Sequence, residues 1–149
     1  MKLGFYLINL DSSTDRLAQA SAELKKHNIE FERISAFDGR KLDVQTYESY
    51  NSQQANALMG RDLLGAEIGC YLSHKRCVSE FLASDYDFVI VVEDDLEVIS
   101  DLVITVKKAV KWLEENQKGW HLINIGSTKR KFLLNLRLVL PILIKCQPF

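Results

Sequence analysis

Phe88-Val-Ile-Val-Val-Glu-Asp-Asp95 is the stretch from which the fold is read: five apolar residues in succession, then three acidic ones. A strand with one wet face alternates polar and apolar residues. A run that is apolar throughout belongs to a strand covered on both faces, as in a parallel sheet between helices. Leu3-Gly-Phe-Tyr-Leu-Ile-Asn-Leu10 is a second run of this kind, and it ends in the polar cluster Asp11-Ser-Ser-Thr-Asp15. Both therefore predict buried strands, each with polar groups at its carboxyl end.

Working outward, Asp11, Ser12 or Ser13 can cap a helix in which Leu17, Ala18, Ala20, Ala22 and Leu24 keep helical spacing as far as His27 and Asn28. Phe31 and Ile34 mark a short strand, and Asp38-Gly39 a turn whose glycine tolerates positive φ. The segment from Asp43 to Asp62 is polar, with Tyr47 and Tyr50 as its large anchors, and predicts short helices or loop over the sheet edge. After Gly65 a helical pattern runs through Ile68, Tyr71, Leu72, Val78, Phe81 and Leu82 and closes at Ser84-Asp85. Ser100 or Asp101 caps a further helix carrying Leu102, Val103, Val106, Val110 and Leu113, and Trp120 to Ile125 reads as a strand ending at Gly126. Strands alternating with helices predict an α/β domain with a largely parallel sheet. Beyond Lys129-Arg130-Lys131, the apolar stretch Phe132 to Ile144 is interrupted by Asn135, Arg137 and Pro141. It is too short to span a bilayer and reads as core, as an interfacial segment, or as a surface that meets more chain.

Composition narrows the classes. The 149 residues suit one domain, and 47% hydrophobic with 26% charged residues excludes a disordered or fibrous chain. Nineteen Lys and Arg against 20 Asp and Glu give a net charge of -1, which argues against a nucleic-acid partner. Cys70, Cys77 and Cys146 are too few for a disulfide framework and point to a reducing compartment. Met1 to Leu10 lacks the features of a signal peptide, so a cytoplasmic location is expected.

Glu93-Asp94-Asp95 carries the sharpest chemical signal. Ligands of open α/β sheets bind outside the carboxyl ends of the strands, where this cluster falls. Adjacent carboxylates repel one another unless a cation offsets them, and oxygen donors suit Mg²⁺ or Mn²⁺. Alternation along an extended backbone puts Glu93 and Asp95 on one side and Asp94 on the other. The plainer alternative is a solvated acidic loop. Asn9, Asp11, Asp15 and Arg16 form a second polar set at a strand end and helix start, fit either for an anion or ribose hydroxyl or for simple capping. Cys70, His74 and Cys77 share one helical face. Zinc there needs a fourth ligand that His121 or Cys146 alone could supply, so a core stripe with one hydrogen-bonded histidine is the better reading.

Four segments, in order, give a resemblance: Tyr6-Leu-Ile-Asn-Leu-Asp11 with Ser13-Thr-Asp-Arg16, Ile34-Ser-Ala-Phe-Asp-Gly39, Gly65-Ala-Glu-Ile-Gly-Cys-Tyr-Leu-Ser-His74, and Val89-Ile-Val-Val-Glu-Asp-Asp95. Over about residues 3 to 126 the chain resembles glycosyltransferase family 25, the lipopolysaccharide and lipooligosaccharide glycosyltransferases of bacteria and related collagen galactosyltransferases. The resemblance implies a GT-A-like (Rossmann-like) nucleotide-binding domain at residues 1–130, followed by an apolar tail at 131–149. It implies a UDP-sugar donor (UDP-galactose), a glycolipid acceptor, Mn²⁺ or Mg²⁺, and an inverting transfer on the inner face of the cytoplasmic membrane. On this reading Glu93 and Asp95 hold the metal and Asp94 faces the nucleotide sugar. Asn9, Asp11 and Arg16 lie near the nucleotide with Asp38 beside them, and Ser73 and His74 shape the donor pocket.

An inverting transfer also needs a base. No Asp or Glu follows Glu115, which leaves His74, Glu67, Glu97 and Asp101, and more weakly His121, without an assigned role. Members of the family continue past this length, so the chain is expected to be an N-terminal portion that transfers sugar poorly alone and self-associates through its tail. Two competing readings are a nucleotide-sugar-binding but inactive truncated transferase, and a receiver-like signalling domain. The receiver reading lacks a phosphoacceptor aspartate at a later strand end, since Asp101 is the last aspartate.

Overall fold

The computed structural model describes residues 1–98, 101–116, 120–124 and 142–145. Strand β1 (Leu3–Asn9) leads into helix α1 (Thr14–Lys26) and strand β2 (Glu32–Ser35). Two 3₁₀ turns, Gly39–Lys41 and Val44–Thr46, and helix α2 (Ser52–Met59) follow, and then the long helix α3 (Gly65–Ala83) returns to strand β3 (Phe88–Glu93). Helix α4 (Leu102–Asn116), strand β4 (Leu122–Asn124) and strand β5 (Ile142–Lys145) complete the described elements.

The five strands form one sheet in the order β2-β1-β3-β5-β4. β2, β1 and β3 are parallel, as the two apolar runs predict, whereas β5 lies antiparallel to both β3 and β4. Four residues of the apolar tail thus pair along β3. The rest of the Phe132–Ile144 stretch, the basic cluster at 129–131, Gly126, Ser100 and Cys146 lie outside the described residues.

The uninterrupted apolarity of β1 and β3 has a direct cause in the pleat, which sends alternate side chains to opposite faces. Phe5, Leu7, Phe88, Ile90 and Val92 pack with Ala20 and Leu24 of α1 and Val106 and Val110 of α4. Tyr6, Ile8, Val89 and Val91 pack with Ile34 and with Cys77 and Phe81 of α3. Each face is a separate core, and burying one such side chain stabilises the fold by roughly 1.5–3 kcal/mol.

Helix starts follow local chemistry. Asp101 caps α4 by accepting from the backbone N of Ile104 at 3.0 Å. Ser13 takes the N-cap position of α1, though its hydroxyl makes no capping bond. Gly39 departs from the expected reason for a glycine, because its φ is not positive and it opens a 3₁₀ turn capped by Asp38. What it provides is close approach. A Cβ on Gly39 would lie 1.9 Å from the Gly65 carbonyl oxygen, and one on Gly69 would lie 2.7 Å from the Phe37 carbonyl oxygen. The loop after β2 therefore rests backbone to backbone on the first turns of α3.

Ser73 fastens the same junction, its hydroxyl accepting from the backbone N of Phe37 at 2.8 Å and donating to the Gly69 carbonyl at 2.7 Å. The residue is buried. Ser73→Ala leaves the Phe37 N–H without its partner and is expected to cost about 1–3 kcal/mol, read as a lower midpoint in urea unfolding with an unchanged slope.

Candidate functional site

The chain leaves β1 toward β2 on one side and reaches β3 on the other, so the carboxyl ends of β1 and β3 flank a topological switch point, where such sheets bind ligands. Asn9, the last residue of β1, is 2% exposed. Its Nδ2 donates to Asp94 Oδ2 at 2.7 Å and to the Ser13 carbonyl at 3.1 Å, and its Oδ1 accepts from Arg33 Nε at 3.2 Å. With both ends of the amide engaged, its orientation is fixed. Arg16, in the first turn of α1, forms an ion pair with Asp94 and approaches Asp95 at 3.4 Å.

The acidic triplet does not alternate as an extended segment would. The strand ends at Glu93, and Asp94-Asp95 form a turn. Asp94 and Asp95 therefore converge on Arg16, while Glu93 continues the face of Val89 and Val91 and meets α3. Asp11 turns toward β2, where it pairs with Arg33 and accepts from Ser35 at 2.9 Å. The Arg33 hydrogen bond, then that of Ser35, holds its carboxyl below the usual range.

The opposite wall comes from α3 and the loop after β2. Asn9, Arg16, Glu93 and Asp94 share a cleft of about 260 Å³ with Phe37, Asp38, Arg40, Cys70, Ser73 and His74. Arg40 grips Asp38 and holds its carboxyl down at about 2. His74 Nε2 lies 3.1 Å from Glu93 Oε1. Its interaction with Cys70, followed by that with Glu93, pushes the imidazole up to about 9.

His74 is therefore an imidazolium at neutral pH, available to offset negative charge in the cleft and unavailable as a proton acceptor. Because its folded value is raised, the stability it contributes is complete below its unfolded value of 6.5 and is lost as pH rises through about 9. An NMR titration of the His74 ring is expected to give a midpoint near 9, which Glu93→Gln moves toward 6.5.

Residues 2–142 match the family described as Glycosyltransferase family 25 (LPS biosynthesis protein). The chain belongs to glycosyltransferase family 25. Among its curated relatives, procollagen galactosyltransferase 2 of Mus musculus is 28% identical over 132 residues, which cover 84% of this chain and 21% of the relative. Procollagen galactosyltransferase 1 of Danio rerio is 28% identical over 132 residues, covering 84% and 22%. Inactive glycosyltransferase 25 family member 3 of Homo sapiens is 29% identical over 136 residues, again covering 84% and 22%. The chain spans about a fifth of the length of these relatives.

Within this family 25 chain the other base candidates stand apart from the acidic triplet. Glu67 accepts from the backbone N of Leu64 and from both terminal nitrogens of Arg61. Arg61 first, and then Leu64, hold its carboxyl down at about 2, which makes it a weak proton acceptor. Asp101 is occupied as a cap, and Glu97 is exposed and does not line the cleft. His121 precedes β4, whose register places Leu122 level with Val89. It therefore lies toward the amino-terminal edge of the sheet, roughly 16 Å from the edge that carries Glu93.

Cys70 and Cys77 share a helical face but not an environment. Cys77 lies under the sheet, where burial pushes its thiol up to about 12, whereas Cys70 lies beyond the sheet edge, exposed in the cleft. Arg33, Phe37 and Arg40 enter the site without being among the residues expected there from the sequence. Phe37 had a signal, since it stands within the Ile34–Gly39 motif; Arg33 and Arg40 had none beyond their charge.

Proposed function

We propose that this chain binds the diphosphate of a UDP-sugar at the β1/β3 switch point and serves the transfer of its sugar, galactose, to a glycolipid acceptor of lipopolysaccharide or lipooligosaccharide synthesis. The observation that carries this reading is the Asn9–Asp94–Arg16 cluster at the cleft, in a chain of family 25. Asn9 fixes the Asp94 carboxylate. Arg16 and the His74 imidazolium stand as the cations that face an incoming diphosphate, and exposed Phe37 offers an apolar wall. The donor set fits a hard cation through Asp95, which is 41% exposed and meets Arg16 only at 3.4 Å, so its carboxylate is open to an ion, with Asp94 close enough to share that ion only if it takes the place of Arg16. Mn²⁺ or Mg²⁺ held by these carboxylates would neutralise charge on the leaving diphosphate as a Lewis acid. Among the described residues no helix is long and apolar enough to cross a membrane, and a glycolipid acceptor would bring the work to the inner face of the cytoplasmic membrane.

The test uses radiolabelled UDP-galactose and a lipooligosaccharide acceptor, with transfer and UDP release scored separately in Mn²⁺ and in chelator. Metal-dependent transfer supports the reading, and absence of both UDP binding and turnover contradicts it. A second reading, donor binding without transfer, is favoured by the state of the base candidates: Glu67 is held by Arg61, Asp101 by its cap, and His74 carries a proton at neutral pH. Binding of UDP with no transfer is the result that selects it.

A further inference from the structure

The acidic triplet divides between two neighbours, and its first member leaves the oxygen-rich side altogether. Glu93 faces Cys70 and His74, and one ligand atom from each of the three, Sγ, a ring nitrogen and a carboxylate oxygen, lies within 4.8 Å of the others. We propose that Cys70, His74 and Glu93 form a binding site for a thiophilic divalent cation of the Zn²⁺ class, separate from the hard-cation site at Asp94 and Asp95.

The backbone is already in place for such a site. Cys70 and His74 stand one turn apart on α3, and the start of that helix is held against the loop after β2 by Gly39, Gly65, Gly69 and the two Ser73 bonds. Glu93 ends a strand buried along its length up to that residue. Bonds of about 2.0–2.3 Å to a tetrahedral ion bring its ligands roughly 3.5 Å apart. The imidazole and carboxylate already meet at 3.1 Å, and exposed Cys70 has room to rotate its sulfur inward.

The donor chemistry favours the same class of ion. A thiolate is a soft ligand, imidazole suits Zn²⁺, and hard Mg²⁺ and Mn²⁺ prefer the all-oxygen set on the other side of the turn. Three protein ligands leave the fourth position open, as in zinc sites that take water or substrate, and here it opens on the cleft. A cation bound here would displace the His74 proton, so it would replace the imidazolium and not add to it, and it would present positive charge to an anionic ligand at the same place. This inference does not depend on the transferase reading, because its test reads the metal and not turnover.

Co²⁺ titrated into the reduced, chelator-treated full chain is the probe. The wild type is expected to show a thiolate-to-cobalt charge-transfer band and four-coordinate visible bands, both abolished by one equivalent of Zn²⁺. Cys70→Ser removes the charge-transfer band, and His74→Gln and Glu93→Gln each weaken Co²⁺ binding by about tenfold or more. Cys146→Ser and Asp95→Asn retain the band. Circular dichroism confirms that each variant is folded, and Cys70, being exposed, tolerates serine. A wild type without the band, a band that survives Cys70→Ser, or a band lost equally in Asp95→Asn overturns the proposal. UDP titration with Mn²⁺ on the same preparations reports separately on the donor site.

Discussion

Asp95→Ala is expected to lower the affinity of the chain for UDP in Mn²⁺ by about 100-fold, while leaving the weak metal-free affinity nearly unchanged. Losing an outer partner of a metal ligand costs about 10–100-fold in affinity, and losing a ligand itself stands at or beyond the upper end of that range. The effect is expected to be specific to metal because the Asp95 contact with Arg16 is long, at 3.4 Å, and half of the Arg16 side chain is exposed. Arg16 keeps its pairing with Asp94 in the variant, so the helix start and the cleft wall persist. A solvated loop carboxylate would behave differently, with little change in either condition. Calorimetric titration of wild type and variant, each with Mn²⁺ and with chelator, reads all four affinities.

Gly39→Ala is expected to be the most destabilising alanine substitution among the glycines of the described residues. The added Cβ would stand 1.9 Å from the Gly65 carbonyl oxygen, 2.6 Å from its carbon and 3.0 Å from the Gly69 nitrogen. All three are backbone atoms and no side chain can swing away, so the loop or the helix start must move. Overpacking of this kind costs about 3 kcal/mol, which lowers Tm by roughly 6–12 °C for a chain of this size. The displaced segment carries Phe37 and Asp38 of the cleft, so donor affinity falls with stability. Gly60→Ala is the comparison: it has φ +71 and nothing within 4 Å, and it should cost only roughly 1–2 kcal/mol of backbone strain. Equal melting temperatures for the Gly39 variant and wild type would remove the close-approach argument.

The parallel part of the fold was legible because its signal is local. β1 and β3 are apolar on both pleat faces, and only a strand between two helical layers tolerates that pattern, which placed both elements within a residue of their observed ends. α3 was read from its 3.6-residue period and ends one residue before the expected stop at Ser84. β5 was not legible. Its first three residues end an apolar run broken by Asn135, Arg137 and Pro141, Lys145 lies just beyond that run, and its antiparallel place beside β3 is a long-range pairing that no local period announces.

The site was legible at the level of position and less so at the level of partners. Both polar sets fell at strand carboxyl ends, and the order of strands brought them together through Asn9 and Asp94. Alternation failed after Glu93 because a turn begins at Asp94, and a pleat argument holds only while the chain stays extended. Arg33 fixes the Asn9 amide from the neighbouring strand, a contact set by the β1/β2 register in which Asn9 faces Ser35. Cys70 and Cys77 shared a helical face in the sequence, yet the sheet edge passes between them.

On the proposed function, the cleft between the carboxyl ends of β1 and β3 receives a nucleoside diphosphate. Backbone amide NMR during titration with UDP and Mg²⁺ tests it residue by residue. Saturable shifts are expected at Asn9, Arg16, Phe37, Asp38, His74 and Asp94, with Lys2, Asp85 and His121 at the opposite edge unmoved. Saturable shifts confined to that opposite edge, or no shifts at saturating UDP with a folded spectrum, would contradict it.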